Sequence, residues 1–430
     1  MSLKLESLEK FGWRFGLETT HTLLSFLGNP QSSLRFIHVA GSNGKGSTCA
    51  FMASFLKRAG YKTGLYTSPH LCDIRERFRV NGLWISQKDF DRHSSRVLKA
   101  CEQVKKKLGH YPTHFEVLTA IAFGWFKEQQ VDWVVLEVGL GGRLDATNVI
   151  TSTALSLITP IGLEHQAILG KTISQIAGEK AGIIKSGSFV ATVQYSSEAL
   201  RVIHEKAAQS AAQLWSADKD FKYHRTAKGF HWSGPGLNQE IHLPNNAEYQ
   251  VTNAALALAG IQYLRTCDGV KTTAAAIQKA FNQMSWPGRV EVVSQKPLIL
   301  LDGAHNPDGA QVLSAYLKRQ FPGRRWIVLN GLLTDKDHRA FIQCLKPVTA
   351  NSIVTEPRID RAEKGEVIFH AWEKQGVQTL LVKDWQKALG LAQSKLRASD
   401  SSIGLLITGS LYLVGDCRRS LMGLKGLEKI

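Results

Sequence analysis

Short runs of β-branched and other apolar residues alternate along the chain with stretches whose apolar positions recur every three or four residues. That alternation predicts α/β domains with largely parallel sheets. The first unit reads as a strand over Arg35-Phe-Ile-His-Val-Ala40, a glycine-rich turn, a helix from about Ser47 to Ala59, and a strand at Thr63-Gly-Leu-Tyr66. Leu118, Ile121, Ala122 and Trp125 stand at i, i+3, i+4 and i+7, one face of a helix that leads into a buried strand at Trp133-Val-Val-Leu-Glu-Val138. Another apolar strand is predicted at Ala154-Leu-Ser-Leu-Ile158, and Thr172 with Gln175 predicts a capping box opening the next helix. From about Ser216 to Pro244 the pattern changes. There Gly234-Pro235-Gly236, between Gly229-Phe-His-Trp232 and Glu240-Ile-His-Leu243, predicts a small hairpin.

A second series of strands follows at Leu298-Ile-Leu-Leu301, Trp326-Ile-Val-Leu329, Ser352-Ile-Val-Thr355, Thr379-Leu-Leu-Val382 and Gly404-Leu-Leu-Ile407, with helices between them. The Pro-Gly punctuation in Ser285-Trp-Pro-Gly-Arg-Val290 places the domain junction there. The expected architecture is an N-terminal α/β domain over residues 1–290 with a mostly parallel sheet, and a C-terminal Rossmann-like α/β domain over residues 291–430. A length of 430 residues is in keeping with two or three domains.

Composition narrows the class only a little. No stretch approaches the roughly 20 uninterrupted apolar residues of a membrane-spanning helix. The segment from Met1 to Trp13 carries acidic residues and no apolar block, so no secretory signal is expected, and the expected location is the cytoplasm. Six scattered cysteines (Cys49, Cys72, Cys101, Cys267, Cys344 and Cys417) show neither zinc nor redox spacing and are expected to be buried or half-buried thiols. The formal net charge of +17 favours polyanionic partners, among them nucleotides and substrates with several carboxylates. The basic residues are dispersed, however. The one tight run, Lys105-Lys106-Lys107, falls where a helix ends and reads as a solvated face. No nucleic-acid motif is present, and no nucleic-acid or membrane partner is expected.

Candidate chemistry begins at Gly41-Ser-Asn-Gly44-Lys45-Gly46-Ser47-Thr48, between a strand and a helix. Glycines there let backbone N–H groups wrap anionic oxygens, and the helix N-terminus adds partial positive charge. Lys45 can reach the β- and γ-phosphates, and the hydroxyl of Ser47 can face Mg²⁺. The spacing departs from the common phosphate loop, with two residues between Gly41 and Gly44; the alternative is a purely structural turn. Glu137 ends an apolar strand and suits a Mg²⁺ ligand, the alternative being an acid at a strand tip facing water. Glu164-His165 follows another apolar strand. These features describe a magnesium-dependent, phosphate-loop ATPase-type site on the first domain.

At these residues the chain resembles the folylpolyglutamate synthase/dihydrofolate synthase family of Mur-type amide ligases. The resemblance spans nearly the whole chain. It rests on His38-Val-Ala-Gly-Ser-Asn-Gly-Lys-Gly-Ser47, Tyr66-Thr-Ser-Pro-His-Leu71, Leu136-Glu-Val-Gly-Leu-Gly-Gly-Arg-Leu-Asp-Ala-Thr-Asn148 and Gly178-Glu-Lys-Ala-Gly-Ile183. In the second domain it rests on Leu301-Asp-Gly-Ala-His-Asn-Pro-Asp-Gly309, Gly331-Leu-Leu-Thr-Asp-Lys-Asp337 and Thr408-Gly-Ser-Leu-Tyr-Leu-Val-Gly415.

The resemblance implies that Asn43, Gly44, Lys45, Gly46 and Ser47 hold the ATP phosphates, and that Asn253, Arg289 and Asp302 contact ATP. It implies that Ser68, Glu137, His165 and Lys180 bind two Mg²⁺ ions, with Lys180 carbamylated. His305 matches a second-domain residue near the phosphates and joins Lys45 and Lys180 as a catalytic candidate. Thr113-His114-Phe115-Glu116 and Leu144-Asp145-Ala146 match the family's pterin-substrate surface. Two departures stand out: Glu164 where the family usually has Asp, and Tyr249 where a His is common. An ammonium at Lys180 would repel the metals, whereas its carbamate is an oxygen ligand; a plain surface lysine is the alternative.

The implied reaction joins L-glutamate to dihydropteroate or to the γ-carboxyl of folates. ATP converts the acceptor carboxylate to an acyl phosphate, which the glutamate amine attacks. ATP and acceptor are expected to lie between the domains, whose closure would exclude water, and the enzyme is expected to act as a monomer. A cell-wall Mur ligase carries an extra N-terminal domain, for which the roughly 40 residues ahead of the loop are too few. A nucleic-acid-stimulated ATPase would account for the charge, and a nucleotide-binding switch would leave the second-domain motifs idle.

Overall fold

The structure is a computed structural model that describes residues 16–423 together with Leu5 and Leu8. The N-terminal stretch read above for a secretory signal otherwise lies outside the described residues. Contacts divide the chain into two compact units, one of Met1–His70 and Arg75–Ser285 and one of Leu71–Ile74 and Trp286–Ile430. The units part between Ser285 and Trp286, five residues before the end of the expected first domain.

Continuous apolar runs build the first unit's sheet, because a parallel strand covered on both faces has no solvent side to mark with polar residues. Its strands are β1 (Phe36–Ala40), β2 (Thr63–Tyr66), β3 (Phe78–Val80), β4 (Leu83–Trp84), β5 (Trp133–Glu137), β6 (Leu155–Ile158), β7 (Phe189–Thr192) and β8 (Gln213–Ser216). They lie in the order β4-β3-β2-β5-β1-β6-β7-β8, parallel except for the hairpin edge made by β3 and β4. Every residue of β1 and β5 is buried. From β1 the chain moves to one side for β2 and β5 and to the other for β6, so the strand order reverses at β1. The crevice beyond the carboxyl end of such a strand is where open α/β sheets bind ligands. Register brings the chemistry level with it: Val39 lies opposite Glu137 and Leu157, and Ala40 opposite Ile158.

The helix after the glycine-rich turn runs over Lys45–Arg58, two residues earlier than the apolar pattern indicated, because Gly44 takes a left-handed N-cap at φ 91°. The capping box at Thr172 and Gln175 is present and opens the helix Ile173–Ala181. The expected hairpin forms as β10 (Gly229–Gly234) and β11 (Leu237–His242), to which β9 (Lys222–Arg225) adds a third strand. β9 alternates exposed with half-buried residues and carries no apolar signal.

The second unit's sheet comprises β12 (Glu291–Gln295), β13 (Leu298–Leu301), β14 (Arg325–Asn330), β15 (Thr349–Val354), β16 (Thr379–Leu381) and β17 (Ile403–Thr408). The order is β12-β13-β17-β14-β15-β16, parallel except for β12. Ile299, Leu301, Ile327, Leu329, Leu405 and Ile407 pack against the helix Trp385–Ala398. Trp326 is fully buried, and a Cβ at Gly404 would lie 2.7 Å from its ring.

All six cysteines are free, but Cys267, the last residue of the helix Glu248–Cys267, is exposed rather than buried, since the packed face of that helix has turned away by its end. Lys105, Lys106 and Lys107 are exposed in the last turn of the helix Gln87–Leu108, where they also complement the helix dipole. Among the described residues no helix is long and apolar enough to cross a membrane.

Removing the indole of Trp326 leaves a large cavity between β14 and Phe321, whose rings meet edge-on at 5.4 Å. Trp326→Ala is expected to cost the second unit about 3–5 kcal/mol in urea unfolding; an unchanged midpoint would contradict the packing described.

Candidate active site

Two glycines shape the loop after β1. Gly41 has φ 142°, and a Cβ there would lie 1.8 Å from Thr159 Oγ1; Gly44 has φ 91°, and a Cβ there would lie 2.0 Å from Asn253 Oδ1. The loop is therefore seated between the exit of β6 and the helix Glu248–Cys267, and no side chain fits at either point. The Ser42 N–H donates to Pro160 O at 3.1 Å, and the Gly162 N–H donates to Ser42 Oγ at 3.0 Å, which fastens the loop to residues 160–162. Asn43 is exposed at the tip, Gly44, Lys45 and Gly46 are half-buried, and Ser47 is buried at the start of the helix. Lys45 Nζ donates to Gly41 O at 2.8 Å and Ser42 O at 3.1 Å. Thr48 Oγ1 and Thr159 Oγ1 are buried without a hydrogen-bond partner beside this loop. Such a loop at a helix N-terminus has the form of an anion cradle.

Lys180 lies near the end of the helix Ile173–Ala181 and is 1% exposed, so the surface-lysine alternative does not hold. Its ammonium donates to Gly41 O at 2.9 Å and to Glu164 Oε1 at 2.6 Å. Burial pushes its pKa down, opposed by the charge of Glu164 and assisted by Lys45. Burial alone would raise Glu164, but the ammoniums of Lys180 and Lys45 outweigh it and keep the carboxyl ionised well below its ordinary value. In the sequence the one signal of Glu164 as a partner for Lys180 is its place just past an apolar strand.

Glu137 is buried, not facing water, and its Oε2 accepts the Ser68 N–H at 3.0 Å. His165 is exposed, with the left-handed backbone φ 45°, ψ 40°, at the N-cap of the short helix Gln166–Leu169. That conformation is uncommon outside glycine and concentrates at functional sites. Among the described residues no three His, Cys, Asp or Glu side chains gather closely enough to hold a metal ion. A set built on Glu137 and His165 would be completed by the Ser68 hydroxyl, a modified Lys180 or phosphate oxygens. Such oxygen-rich ligation fits Mg²⁺, which commonly shares its shell with substrate phosphates.

The two segments matched to a pterin surface divide into residues left near the surface and residues turned inward. Thr113 and Glu116 form the capping box of the helix His114–Glu128, and buried Glu116 also accepts from Thr20 Oγ1 at 2.9 Å. His114 and Phe115 are half-buried in the first turn. Burial and then Arg77 push His114 down to about 4. A Cβ at Gly139 would lie 2.5 Å from the Phe115 ring. Asp145 is buried and turned inward, accepting from the Leu140 N–H at 2.8 Å, the Thr147 N–H at 3.0 Å and Thr147 Oγ1 at 2.5 Å. Ala146 is also buried, which leaves Leu144 half-buried at the surface. Because Thr147 spends its proton on Asp145, the His38 Nε2–H donates to Thr147 Oγ1 at 2.9 Å. His38 therefore joins the interior of β1 to this loop.

In the second unit, Asp302 is buried at the end of β13. Its Oδ2 accepts the Val290 N–H and its Oδ1 the Ala304 N–H, both at 2.8 Å. His305 Nδ1 donates to Gly303 O at 2.8 Å, which places its proton on Nδ1. Asn306 Oδ1 caps the helix Pro307–Gln320. Arg289 is half-buried, and its Nη1 lies 3.1 Å from where a Cβ of Gly303 would stand. Asn43–Ser47, Ser68, Glu137, His165, Lys180 and Asn253 thus belong to the first unit, and Arg289, Asp302 and His305 to the second.

The Mur ligase middle domain matches residues 39–261, and the Mur ligase glutamate ligase domain matches residues 288–411, which makes the class that of a Mur-type ligase. The chain is 34% identical over 431 residues to the dihydrofolate synthase/folylpolyglutamate synthase of Bacillus subtilis (strain 168), covering 96% of each chain. Mycobacterium tuberculosis folylpolyglutamate synthase complexed with ADP and AMPPCP matches with a TM-score of 0.89, 31% identity and 98% of each chain covered. A bifunctional folylpolyglutamate synthase/dihydrofolate synthase with Mn, AMPPNP and L-glutamate bound matches with a TM-score of 0.85, 29% identity and 97% of each chain covered. The chain belongs to the folylpolyglutamate synthase/dihydrofolate synthase family, and it is an ATP-dependent acid–amino-acid ligase.

His38 gives this site an acid-sensitive element. Burial, then Lys185, push its pKa from 6.5 to about 3, so it stays neutral in the fold while the unfolded chain takes up a proton. Its contribution to stability is full above pH 6.5 and is lost as pH falls toward 3. His38→Gln keeps a donor near the Nε2 position but does not titrate, so its unfolding free energy should fall less steeply over that window in urea titrations. Parallel profiles for the two proteins would show that His38 does not titrate as described.

Proposed function

We propose that this chain joins L-glutamate in amide linkage both to dihydropteroate and to the γ-carboxyl of reduced folates, using ATP. The observation that carries this reading is the phosphate loop with its two sterically required glycines, set beside buried Lys180 in a chain of this family. A carboxylate is a poor acyl donor because its oxygen is a bad leaving group. In the proposed sequence an acceptor carboxylate oxygen attacks the γ-phosphorus, and the bond to the β,γ-bridging oxygen breaks to release ADP. The neutral amine of glutamate then attacks the acyl carbon, inorganic phosphate departs, and the amine's surplus proton passes to solvent.

Asn43, Gly44, Gly46 and Ser47 hold the phosphates through backbone and hydroxyl donors. Lys45 exchanges the Gly41 and Ser42 carbonyls for phosphate oxygens and neutralises charge on the transferring group. Asn253, Arg289 and Asp302 serve ATP, with His305 near the phosphates. Ser68, Glu137, His165 and a carbamylated Lys180 would hold two Mg²⁺ ions, which when bound offset phosphate charge. Burial of Lys180 supports this assignment, since it weakens the amine's hold on its proton and favours condensation with carbon dioxide. On the acceptor side His114, Phe115 and Leu144 offer apolar and aromatic surface to a pterin ring. Thr113, Glu116, Asp145 and Ala146 keep that surface in shape.

Residues 1–290 would act as the ATP-binding domain and 291–430 as the glutamate-ligase domain of a cytoplasmic monomer. The excess of 53 Lys and Arg over 36 Asp and Glu suits an acceptor that gains carboxylates at each round.

Two measurements test the reading. ATP-dependent phosphate release with glutamate should proceed with either dihydropteroate or tetrahydrofolate as acceptor. Amide product from tetrahydrofolate alone would remove the dihydrofolate synthase activity, and stimulation by nucleic acid instead of these acceptors would overturn the proposal.

Lys180→Ala should lower turnover more than about tenfold, with partial recovery when a short carboxylic acid supplies the missing oxygens. Near wild-type turnover in that variant would rule out a metal-binding Lys180.

A further inference from the structure

Val290 adopts φ 50° in the second unit. A β-branched residue in left-handed backbone is a steric outlier, because its Cβ crowds the following carbonyl and its branched χ1 has little room to adapt. The other non-glycine residues with positive φ among those described are Asn29, Asn81, Gln130, His165, Ala211 and Asp218, none of them β-branched. Strain of this kind persists only where neighbours over-determine the backbone.

The neighbours that do so are visible. Asp302 Oδ2 accepts the Val290 N–H at 2.8 Å while Oδ1 accepts the Ala304 N–H at the same distance. The Gly303 N–H donates to Gly288 O at 2.8 Å, and the Gly288 N–H donates to Glu291 Oε2 at 2.8 Å, where Glu291 is in turn paired with Arg418 at 2.9 Å. The turn over residues 288–291 is thus sewn to residues 302–304. The residue carried between strained Val290 and Gly288 (φ 72°) is Arg289, whose guanidinium lies over Gly303, where a Cβ would leave it only 3.1 Å.

We propose that Asp302 is a positioning residue for Arg289: its carboxylate straps Val290 into left-handed backbone and so fixes where the Arg289 guanidinium points. This rests on the reading that Arg289 serves ATP. The strap is a role Asp302 has beside its own assignment to ATP, and this part of its effect on nucleotide binding passes through Arg289. Glycine would adopt this φ without a strap; valine does not, which makes the conformation conditional on the carboxylate.

The test is a set of substitutions read as KM for ATP and kcat, with thermal melts to confirm folding. Arg289→Ala and Asp302→Ala should each raise KM for ATP roughly tenfold with a smaller change in kcat, and the double variant should fall well short of the product of the two single effects. Val290→Gly placed in the Asp302→Ala background should recover about threefold or more, since glycine takes the turn unaided. Multiplying effects in the Arg289/Asp302 double variant, or no recovery from Val290→Gly, would overturn the strap. If Asp302→Ala does not fold, Asp302→Asn, which keeps one acceptor, replaces it in every comparison. If Arg289→Ala leaves KM unchanged, the nucleotide reading of Arg289 fails instead. The strap is then decided by hydrogen exchange at the Val290 amide: lost protection in the Asp302 variant supports it, and retained protection overturns it.

Discussion

Two lysine ammoniums, Lys45 and Lys180, donate to one carbonyl oxygen, that of Gly41, at 2.8 and 2.9 Å. Like charges so close would repel strongly in a buried setting, and the carboxylate of Glu164 at 2.6 Å from Lys180 makes the arrangement tolerable. The conformation of the loop follows from this constraint. Gly41 must turn its carbonyl inward, which its φ of 142° allows, and Gly44 must let the helix begin against Asn253. Any polyanion that takes Lys45 also takes away part of what holds the loop, so ligand binding and loop geometry share the same charges.

Sequence alone showed the first unit well where the signal is local. The strands at Phe36–Ala40 and Trp133–Glu137, the glycine-rich loop and the capping box at Thr172 each rest on residues a few positions apart. The Glu164–Lys180 pair was not readable in this way, because the two lie sixteen positions apart with a short helix between them and nothing in the spacing says that the two side chains meet. Nor was the third hairpin strand over Lys222–Arg225, which lacks apolar alternation and exists because β10 is there to pair with it. The φ of Val290 was invisible for a different reason: side-chain pattern reports burial, whereas backbone strain depends on the hydrogen bonds that surround it.

Motif residues in this protein often face inward. Within the segments matched to the acceptor surface, Thr113, Glu116 and Asp145 spend their polar atoms on backbone amides and neighbouring hydroxyls. Asp302 does the same in the second unit. An acid in a site motif is readily taken for a ligand-binding group, yet buried carboxylates whose oxygens already accept hydrogen bonds are better suited to hold shape. Under the proposed function the residues left to meet a flat aromatic substrate would be few and mostly apolar, here the half-buried His114, Phe115 and Leu144.

The chain from His38 through Thr147 to Asp145 crosses from the middle of β1, three residues before the phosphate loop, to the loop around Leu144. Because equilibrium linkage is reciprocal, whatever free energy a nucleotide gains by stiffening β1 through these bonds must reappear, unchanged in size, as tighter holding of a molecule seated on that second loop. Two substrates with no atom in common would in that case report on one another's presence, and the order in which they arrive could not alter the total.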